Sequence, residues 1–186
     1  QVPSTDNVKI DEKTGTMIRS ELESEMNPLD MYAVEEAVRI KEKETGTKIT
    51  VISMGPLSAE YAIKEAISMG CDEGVLLTDR RYAGADTRAT AYTLSQFLKG
   101  KEFDLIFAGE RATDGETGQV GPMVATLLGI PVLTYVNKII EITKSAIKVQ
   151  RAIEGGNEVI QTTLPSLITV VKEINDPRLP NLENKL

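Results

Sequence analysis

Apolar residues follow two different spacings along the chain up to residue 128, and the two spacings alternate. Short runs rich in β-branched residues predict strands at 48–54, 74–78 and 103–108. Between them, apolar residues recur every three or four positions, which predicts helices over 28–45, 58–69, 87–98 and from about 117–121 to 128. Strands that alternate with helices through short connections indicate a parallel sheet with helices on both faces.

Local signals at two helix starts support these boundaries. Asn27 suits an N-cap, and Pro28 suits the first helical position, where the N–H group has no helical partner anyway. Asp86 suits the cap of the third helix. In the first helix, Glu35 and Glu36 fall on the polar face, so both are predicted to face water.

The pattern changes after residue 131, where extended stretches replace the helices. Strands are predicted at 132–142, 146–153 and 158–171, and Pro165 divides the last of them. Residues 175–182 contain two prolines and little periodicity, which is typical of an exposed tail or docking arm. We therefore expect one folded domain over 1–174.

A polar, glycine-rich loop joins the strand that ends near Ala108 to the helix that contains Pro122. In open α/β sheets, ligands bind outside the carboxyl ends of the strands, which is where this loop falls. Its glycines allow a close approach of ligand and backbone, and the unpaired amides at the helix start suit a phosphate. The loop has neither the lysine of a P-loop nor the GxGxxG spacing, so an ordinary strand-to-helix connection stays open as the alternative.

Two further polar loops are predicted at the same edge of the sheet. Right-handed crossovers place residues 53–56 and 79–84 beside the loop at 109–119. Three such loops at one edge favour a ligand site more strongly than any one of them alone.

Composition narrows the chemistry of this site. The 186 residues suffice for one domain, and the formal charge of -7 argues against nucleic acid or an anionic membrane as the main partner. The absence of histidine excludes a Ser-His-Asp triad, a histidine base and a histidine-ligated metal within this chain. The single Cys71 excludes an internal disulfide and is expected to be a buried structural thiol. Redox chemistry would therefore come from a bound cofactor.

The chain shows no signal peptide and no apolar run long enough to span a bilayer, which favours a cytoplasmic protein without membrane insertion. It begins with Gln1 in a polar segment, so the question whether a strand or a targeting segment precedes Gln1 stays open.

Four segments carry a more specific signal than the glycine loop. The longest runs from Val149-Gln-Arg-Ala-Ile-Glu-Gly-Gly-Asn to Thr169. The others are Met26-Asn-Pro with the following Val-Glu-Glu-Ala, Val51-Ile-Ser-Met-Gly-Pro, and Asp114-Gly-Glu-Thr-Gly-Gln-Val-Gly-Pro. Together they resemble the β subunit of electron transfer flavoprotein, and the resemblance covers nearly all of the chain.

The resemblance implies a three-layer, parallel-sheet nucleotide-binding α/β fold, Rossmann-like and similar to the adenine-nucleotide hydrolases, with a strand-rich C-terminal part. It also implies a heterodimer with a larger, flavin-carrying α subunit. In one branch of the family the β subunit binds AMP as a structural ligand. In the electron-bifurcating branch it binds a second FAD, which takes electrons from NADH. The loop at 114–122 lacks the longer acidic insertion of the AMP type and, with residues 79–87, resembles the bifurcating branch.

Carried over by position, the resemblance places the nucleotide site on four segments. Its residues are Asn27, Ser53, Met54, Gly55, Thr87, Thr90, Gly109, Glu110, Arg111, Ala112, Thr113, Asp114, Gly115, Glu116, Thr117, Gly118, Gln119 and Val120. The Thr117 hydroxyl and the following amides suit a pyrophosphate, and Asn27 or the backbone near Ser53 suits ribose or adenine. Helix capping and packing are the alternative roles for Thr87 and Thr90. No catalytic side chain and no metal site are expected.

The resemblance also implies docking partners. A recognition loop of the family carries a leucine that docks onto a flavin-dependent dehydrogenase, and Leu179 holds that position here, with 175–186 starting the loop and a C-terminal arm. The bifurcating branch adds ferredoxin or flavodoxin as low-potential acceptor. The family has an additional first strand at the nucleotide site and a longer arm that holds the α subunit.

Three alternative functions stay open. One is an AMP-binding scaffold subunit of a one-flavin carrier, and another is a non-redox nucleotide-binding regulatory domain. The third is an enzyme similar to ATP pyrophosphatases, for which we find no serine- and glycine-rich phosphate loop after the first strand.

Overall fold

The computed structural model describes residues 1–3 and 24–181. Its helices are α1 (Pro28–Lys43), α2 (Glu60–Met69), α3 (Thr87–Leu98) and α4 (Val120–Leu128). Its strands are β1 (Val2–Pro3), β2 (Ser24–Glu25), β3 (Thr50–Met54), β4 (Glu73–Leu77), β5 (Leu105–Gly109), β6 (Val132–Ile142), β7 (Ala146–Ile153), β8 (Gly156–Thr163) and β9 (Ser166–Val170). Across this part of the chain, we find no helix with the length and apolar character needed to cross a bilayer.

The central sheet has five strands in the order β5-β9-β6-β7-β8. β9 runs parallel to β5 and β6, whereas β7 and β8 extend the sheet antiparallel to β6. β5 and β6 therefore pair in parallel with β9, but the sheet as a whole is mixed and is not the parallel sheet that the sequence predicted. The reason is that short turns join β6, β7 and β8, and short turns permit only antiparallel neighbours.

Two smaller strand pairs complete the described structure. β3 and β4 form a parallel pair, and β1 and β2 form a short antiparallel one. Within residues 1–3 and 24–181, no backbone ladder joins β3 or β4 to the five-stranded sheet. The single continuous sheet expected from the sequence is thus divided in the described residues.

β9 is the centre of the fold, because all five of its residues are buried. Its side chains alternate between the two faces of the sheet. Ile168 packs in a cluster with Ala33 of α1 on one face. Leu167 packs with Ala91 of α3 and Val124 of α4 on the other face. Helices therefore cover both faces of the central sheet, as predicted.

Local sequence signals set several boundaries correctly. α3 occupies the predicted residues, and the Asp86 carboxylate caps it by accepting a hydrogen bond from the Ala89 N–H at 2.7 Å. Pro165 divides the last extended stretch into β8 and β9, as predicted, and its bond with Leu164 is cis. Asn27 and Pro28 hold the expected positions at the start of α1.

Two side chains at α1 differ from the prediction. Asn27 makes no side-chain capping bond, because its amide is used elsewhere in the fold. Glu35 does not face water but is 2% exposed. Its carboxylate is paired with Arg39 at 2.6 Å and with Arg178 at 2.7 Å. Helical periodicity treats every glutamate as polar and carries no information about a partner 143 positions away.

The sequence predicted an exposed tail or docking arm at 175–182, and the structure shows residues 175–181 held against α1 and α2 by hydrogen bonds. The Asn175 side chain donates a hydrogen bond to the Tyr32 carbonyl oxygen at 3.0 Å. The Asn181 N–H donates to the Ser68 carbonyl oxygen at 3.1 Å. Residues 175–181 of the predicted docking segment 175–186 are therefore anchored, and residues 182–186 lie outside the described part of the chain.

Cys71 is buried in the cluster that contains Met26 and Met69. Burial, as the larger cause, and the nearby charge of Asp72, as the smaller one, together raise the pKa of the Cys71 thiol to about 11. Because the thiolate is the reactive form, we expect alkylation at pH 8 to be at least about a hundredfold slower in the folded protein than in urea. Mass spectrometry after timed iodoacetamide treatment measures this ratio, and equal rates in both states would contradict the structural role.

Candidate functional site

The glycine-rich loop begins at the carboxyl end of β5 and ends where α4 starts. The Glu110 N–H donates to the Val170 carbonyl oxygen at 3.0 Å, so the loop leaves the sheet beside the end of β9. The Glu116 N–H donates to the Ala112 carbonyl oxygen at 2.8 Å and closes a turn within the loop. Glu116 has φ of +50° and Gly118 has φ of +63°, the left-handed region that favours glycine.

α4 begins at this loop with backbone amides that no side chain caps. Its N-cap residue Gln119 makes no side-chain capping bond, and the Thr117 hydroxyl accepts from the Gln119 N–H at 3.4 Å. The N–H groups of Val120 and Gly121 lie in the first helical turn, where no helical partner exists. A Cβ on Gly121 would lie 2.7 Å from Thr169 Cγ2, so only glycine lets this turn pack on β9. The positive end of the α4 dipole therefore lies at the loop.

The first turn of α3 reaches the same loop. The hydroxyl oxygens of Thr87 and Thr117 are 3.4 Å apart, which is hydrogen-bonding distance. α3 packs against both α4 and β3. Thr90 is partly buried one turn further along, where its N–H donates to the Asp86 carbonyl oxygen. The structure thus brings Thr87 to the loop and leaves Thr90 in the helix behind it.

Asp86→Ala is expected to reduce the free energy of unfolding by about 1 kcal/mol, the usual cost of losing an aspartate cap. The reason is the loss of the bond from the Ala89 N–H to the Asp86 carboxylate. Thermal unfolding followed by circular dichroism measures the change. Asp104→Ala removes an exposed carboxylate before β5 and serves as control, and an equal loss in both variants would contradict the capping role.

The side chain of Asn27 contacts the start of the loop and is 1% exposed. Its Nδ2 donates to the Arg111 carbonyl oxygen at 2.9 Å, and its Oδ1 accepts from the Thr113 N–H at 3.2 Å. Nδ2 also donates to Asp30 Oδ2 at 3.0 Å, while Asp30 Oδ1 accepts from the Gly109 N–H at 2.6 Å. The start of α1 therefore holds the backbone of the loop through two side chains.

Asp30 also holds the loop, although its sequence context did not predict this role. An acidic residue in the first helical turn is typical of any helix, because it complements the helix dipole. Its hydrogen-bond partner Gly109 lies 79 positions further along the chain. The only sequence signal for this role is an aspartate three residues after Asn27, and the helix dipole alone already explains an aspartate at that position.

The predicted site residues Ser53, Met54 and Gly55 lie at the carboxyl end of β3. The Gly55 N–H donates to the Leu77 carbonyl oxygen at 3.0 Å, which continues the ladder to β4. A Cβ on Gly55 would lie 2.7 Å from Gln1 Nε2, so the first residue of the chain lies against this turn. Gly55 thus lies against β4, the chain start and Ala59, and α3 is the element that packs on both β3 and the helix at the loop.

Two ion pairs use charges in the predicted loops. Arg81 pairs with Asp79 at 2.6 Å, and hydrogen bonds from the Arg81 side chain and backbone lower the pKa of Asp79 to about 2. The Arg111 guanidinium lies 3.3 Å from the Glu110 carboxylate. Both arginines are thus partly neutralised, and the backbone amides of α4 add an attraction for anions that does not depend on side-chain charge.

Leu179 protrudes from the anchored segment 175–181 and is 88% exposed. The preceding residue, Arg178, donates from Nε to Glu35 Oε2 at 2.7 Å and from Nη1 to Glu42 Oε1 at 2.6 Å. An isolated exposed leucine is common on protein surfaces. An exposed leucine next to an arginine that is fixed by two carboxylates is instead held in a defined position.

These features define a class of protein: a mixed α/β protein with a glycine-rich loop and an uncapped helix start at the carboxyl edge of its parallel strands. A family model described as electron transfer flavoprotein domain matches residues 14–185. The chain belongs to the electron transfer flavoprotein family, and its function lies in electron transfer.

Individual relatives narrow the similarity to one subunit. The chain is 51% identical over 183 residues to electron transfer flavoprotein subunit beta of Thermoanaerobacterium thermosaccharolyticum, a match that covers 98% of this chain and 70% of that protein. It is 50% identical over 179 residues to subunit CarD of the caffeyl-CoA reductase-Etf complex of Acetobacterium woodii, with 96% and 68% covered. It is 40% identical over 190 residues to protein FixA of Azotobacter vinelandii, with 99% and 67% covered. The resemblance to the β subunit is confirmed.

Proposed function

We propose that the chain is the β subunit of an electron-bifurcating electron transfer flavoprotein and binds FAD at the glycine-rich loop. The observation that carries this proposal is the contact between Thr87 and Thr117, because it joins the first turn of α3 to the loop just before α4 begins. The relatives support it at the level of the family, since one of them is a subunit of a caffeyl-CoA reductase-Etf complex.

The residues at the loop fit the phosphates of a dinucleotide. The N–H groups of Val120 and Gly121 have no helical partner, and the Thr117 hydroxyl lies beside them, so all three can donate to phosphate oxygens. The backbone at 109–113 is bonded to Asn27 and Asp30 at the start of α1. This backbone and the turn at Ser53–Gly55 would hold the rest of the nucleotide. When bound, FAD supplies the redox chemistry, accepting reducing equivalents from NADH and passing electrons on. The chain itself binds and orients the cofactor.

On this proposal, residues 1–174 form a Rossmann-like nucleotide-binding domain that pairs with an α subunit in the cytoplasm. The segment 175–186 starts the recognition loop, and Leu179 docks a flavin-dependent dehydrogenase. Ferredoxin or flavodoxin is the low-potential acceptor.

The nucleotide content of the complex with the α subunit tests the proposal. Denaturation releases the bound nucleotides, and chromatography counts FAD and AMP per heterodimer. Two FAD and no AMP would support bifurcation, and an NADH titration would follow. One FAD with one AMP would overturn it in favour of the scaffold subunit, and a complex without flavin would favour a regulatory nucleotide-binding domain.

Thr117→Val is expected to weaken nucleotide binding by about tenfold, because it removes one hydrogen bond to a charged phosphate. Thr126→Val is the matched control. Its hydroxyl donates to the Pro122 carbonyl oxygen within α4, away from the loop. Isothermal titration of the nucleotide-depleted complex with FAD measures both affinities, and equal losses would argue against a phosphate contact at Thr117.

A further inference from the structure

We infer that Asp30 is a positioning residue for the nucleotide loop. Its carboxylate fixes the direction in which the Asn27 amide faces, and the two side chains together set the backbone at Gly109, Arg111 and Thr113. The inference rests on the proposed function, since it assigns Asp30 a role in shaping the proposed FAD site without touching the ligand.

The hydrogen bonds around Asn27 permit only one orientation of its amide. The Thr113 N–H is a donor, so the amide oxygen has to face it. The Arg111 carbonyl oxygen is an acceptor, so the amide nitrogen has to face it. The second N–H of that nitrogen then needs an acceptor, which is Asp30 Oδ2 at 3.0 Å.

The side chain at position 30 has to accept a hydrogen bond at each of its two terminal atoms. Asp30 Oδ2 accepts from Asn27 and Oδ1 accepts from the Gly109 N–H at 2.6 Å. Asparagine has one acceptor and one donor at its end, so in either orientation its NH₂ would face another donor. The carboxylate is also favoured by its place in the first turn of α1, at the positive end of the helix dipole.

Close packing makes the loop sensitive to this network. A Cβ on Gly109 would lie 2.7 Å from the backbone carbonyl carbon of Leu29, so the loop starts in direct contact with the backbone of α1. Asn27 is 1% exposed, and water therefore does not compete for its hydrogen bonds. The loop backbone can change its direction here only if these bonds break.

Asp30→Asn in the complex with the α subunit tests the assignment, with Asp104→Asn as matched control. The control removes the same charge just before β5, at the opposite end of that strand from Gly109. Two quantities are measured well below the unfolding temperature. They are the amide hydrogen exchange of Gly109 and Thr113 without nucleotide, and the dissociation constant for FAD. We expect Asp30→Asn to speed exchange and weaken FAD binding by about tenfold each, and Asp104→Asn to change neither.

The double variant Asn27→Asp with Asp30→Asn keeps the test decisive if Asp30→Asn does not assemble. It restores acceptors for the Gly109 and Thr113 N–H groups and a matched contact between positions 27 and 30. The Arg111 carbonyl oxygen then loses its donor and faces a carboxylate oxygen at position 27. We expect the double variant to assemble, with hydrogen exchange of Gly109 and Thr113 close to that of wild type and with weaker FAD binding than wild type. Exchange tenfold faster than in wild type would overturn the inference.

Each outcome decides between roles. Unchanged exchange in Asp30→Asn overturns the inference. Faster exchange with unchanged FAD affinity overturns the positioning role and leaves a structural one. A wild-type complex that binds no FAD overturns the proposed function instead, and the exchange rates then decide whether Asp30 holds the loop.

Discussion

Gly109→Ala is expected to lower the free energy of unfolding by about 3 kcal/mol, which is the upper end of the usual cost of overpacking. It is also expected to abolish nucleotide binding. The added Cβ would lie 2.7 Å from the Leu29 carbonyl carbon and 2.9 Å from the Asp30 nitrogen. These are backbone atoms of a helix, so they cannot move aside individually. Relief requires α1 and β5 to separate, which breaks the bond from the Gly109 N–H to Asp30. Urea unfolding and nucleotide content measure the two effects.

Gly115→Ala is the matched control for this prediction. Gly115 lies in the same loop, but an added Cβ there would meet no heavy atom within 4 Å. We expect its free energy of unfolding to change by less than about 0.5 kcal/mol, as for most surface substitutions. Equal losses at both positions would show that loop flexibility, and not contact with α1, requires glycine at position 109.

Arg178→Met is expected to cost about 2 kcal/mol and to release residues 175–181 from α1. Removing one partner of a fully buried ion pair costs roughly 3–5 kcal/mol. The cost is smaller here because Arg178 is partly exposed and Arg39 still pairs with Glu35. Urea unfolding gives the stability, and hydrogen exchange of 175–181 reports the release. Arg88→Met, which removes an exposed arginine of α3, should leave both unchanged.

The cost of Arg178→Met should also depend on pH. Burial raises the pKa of Glu35, but hydrogen bonds from Arg178 and Arg39 lower it more, so the net pKa lies below 4.5. A carboxylate with a depressed pKa contributes stability above its unfolded pKa and loses it as the pH falls through the folded value. The stability gap between wild type and variant should therefore narrow below pH 4.5. If the stability difference between wild type and Arg178→Met stays constant below pH 4.5, packing and not charge anchors residues 175–181.

The sequence predicted elements well where the determining contacts are local. α3 is defined by the Asp86 cap and by apolar residues within twelve positions, so its bounds were predicted correctly. The order of strands was not predictable in this way. β9 lies between β5 and β6, next to a strand 61 positions earlier in register, and no local pattern specifies that pairing.

The same division applies to the site. Glycine spacing predicted the loop at 109–119, and the family resemblance predicted that Thr87 would lie at the same site. The partners of Asn27 could not be predicted, because Arg111 lies 84 positions away. Glu35 has the helical position of an ordinary surface charge, and its burial follows only from the arrival of Arg178. Roles that depend on such distant partners require the folded chain.

One helix anchors both regions of the molecule to which we assign a function by proposal. α1 holds the loop through Asp30 in its first turn and the segment 175–181 through Glu35. At a rise of 1.5 Å per residue, these two side chains are about 7.5 Å apart along the helix axis. On the proposed function, a dehydrogenase bound at Leu179 and a nucleotide bound at the loop would both contact segments that this one helix holds. A movement of α1 would therefore shift the docking segment and the nucleotide loop together.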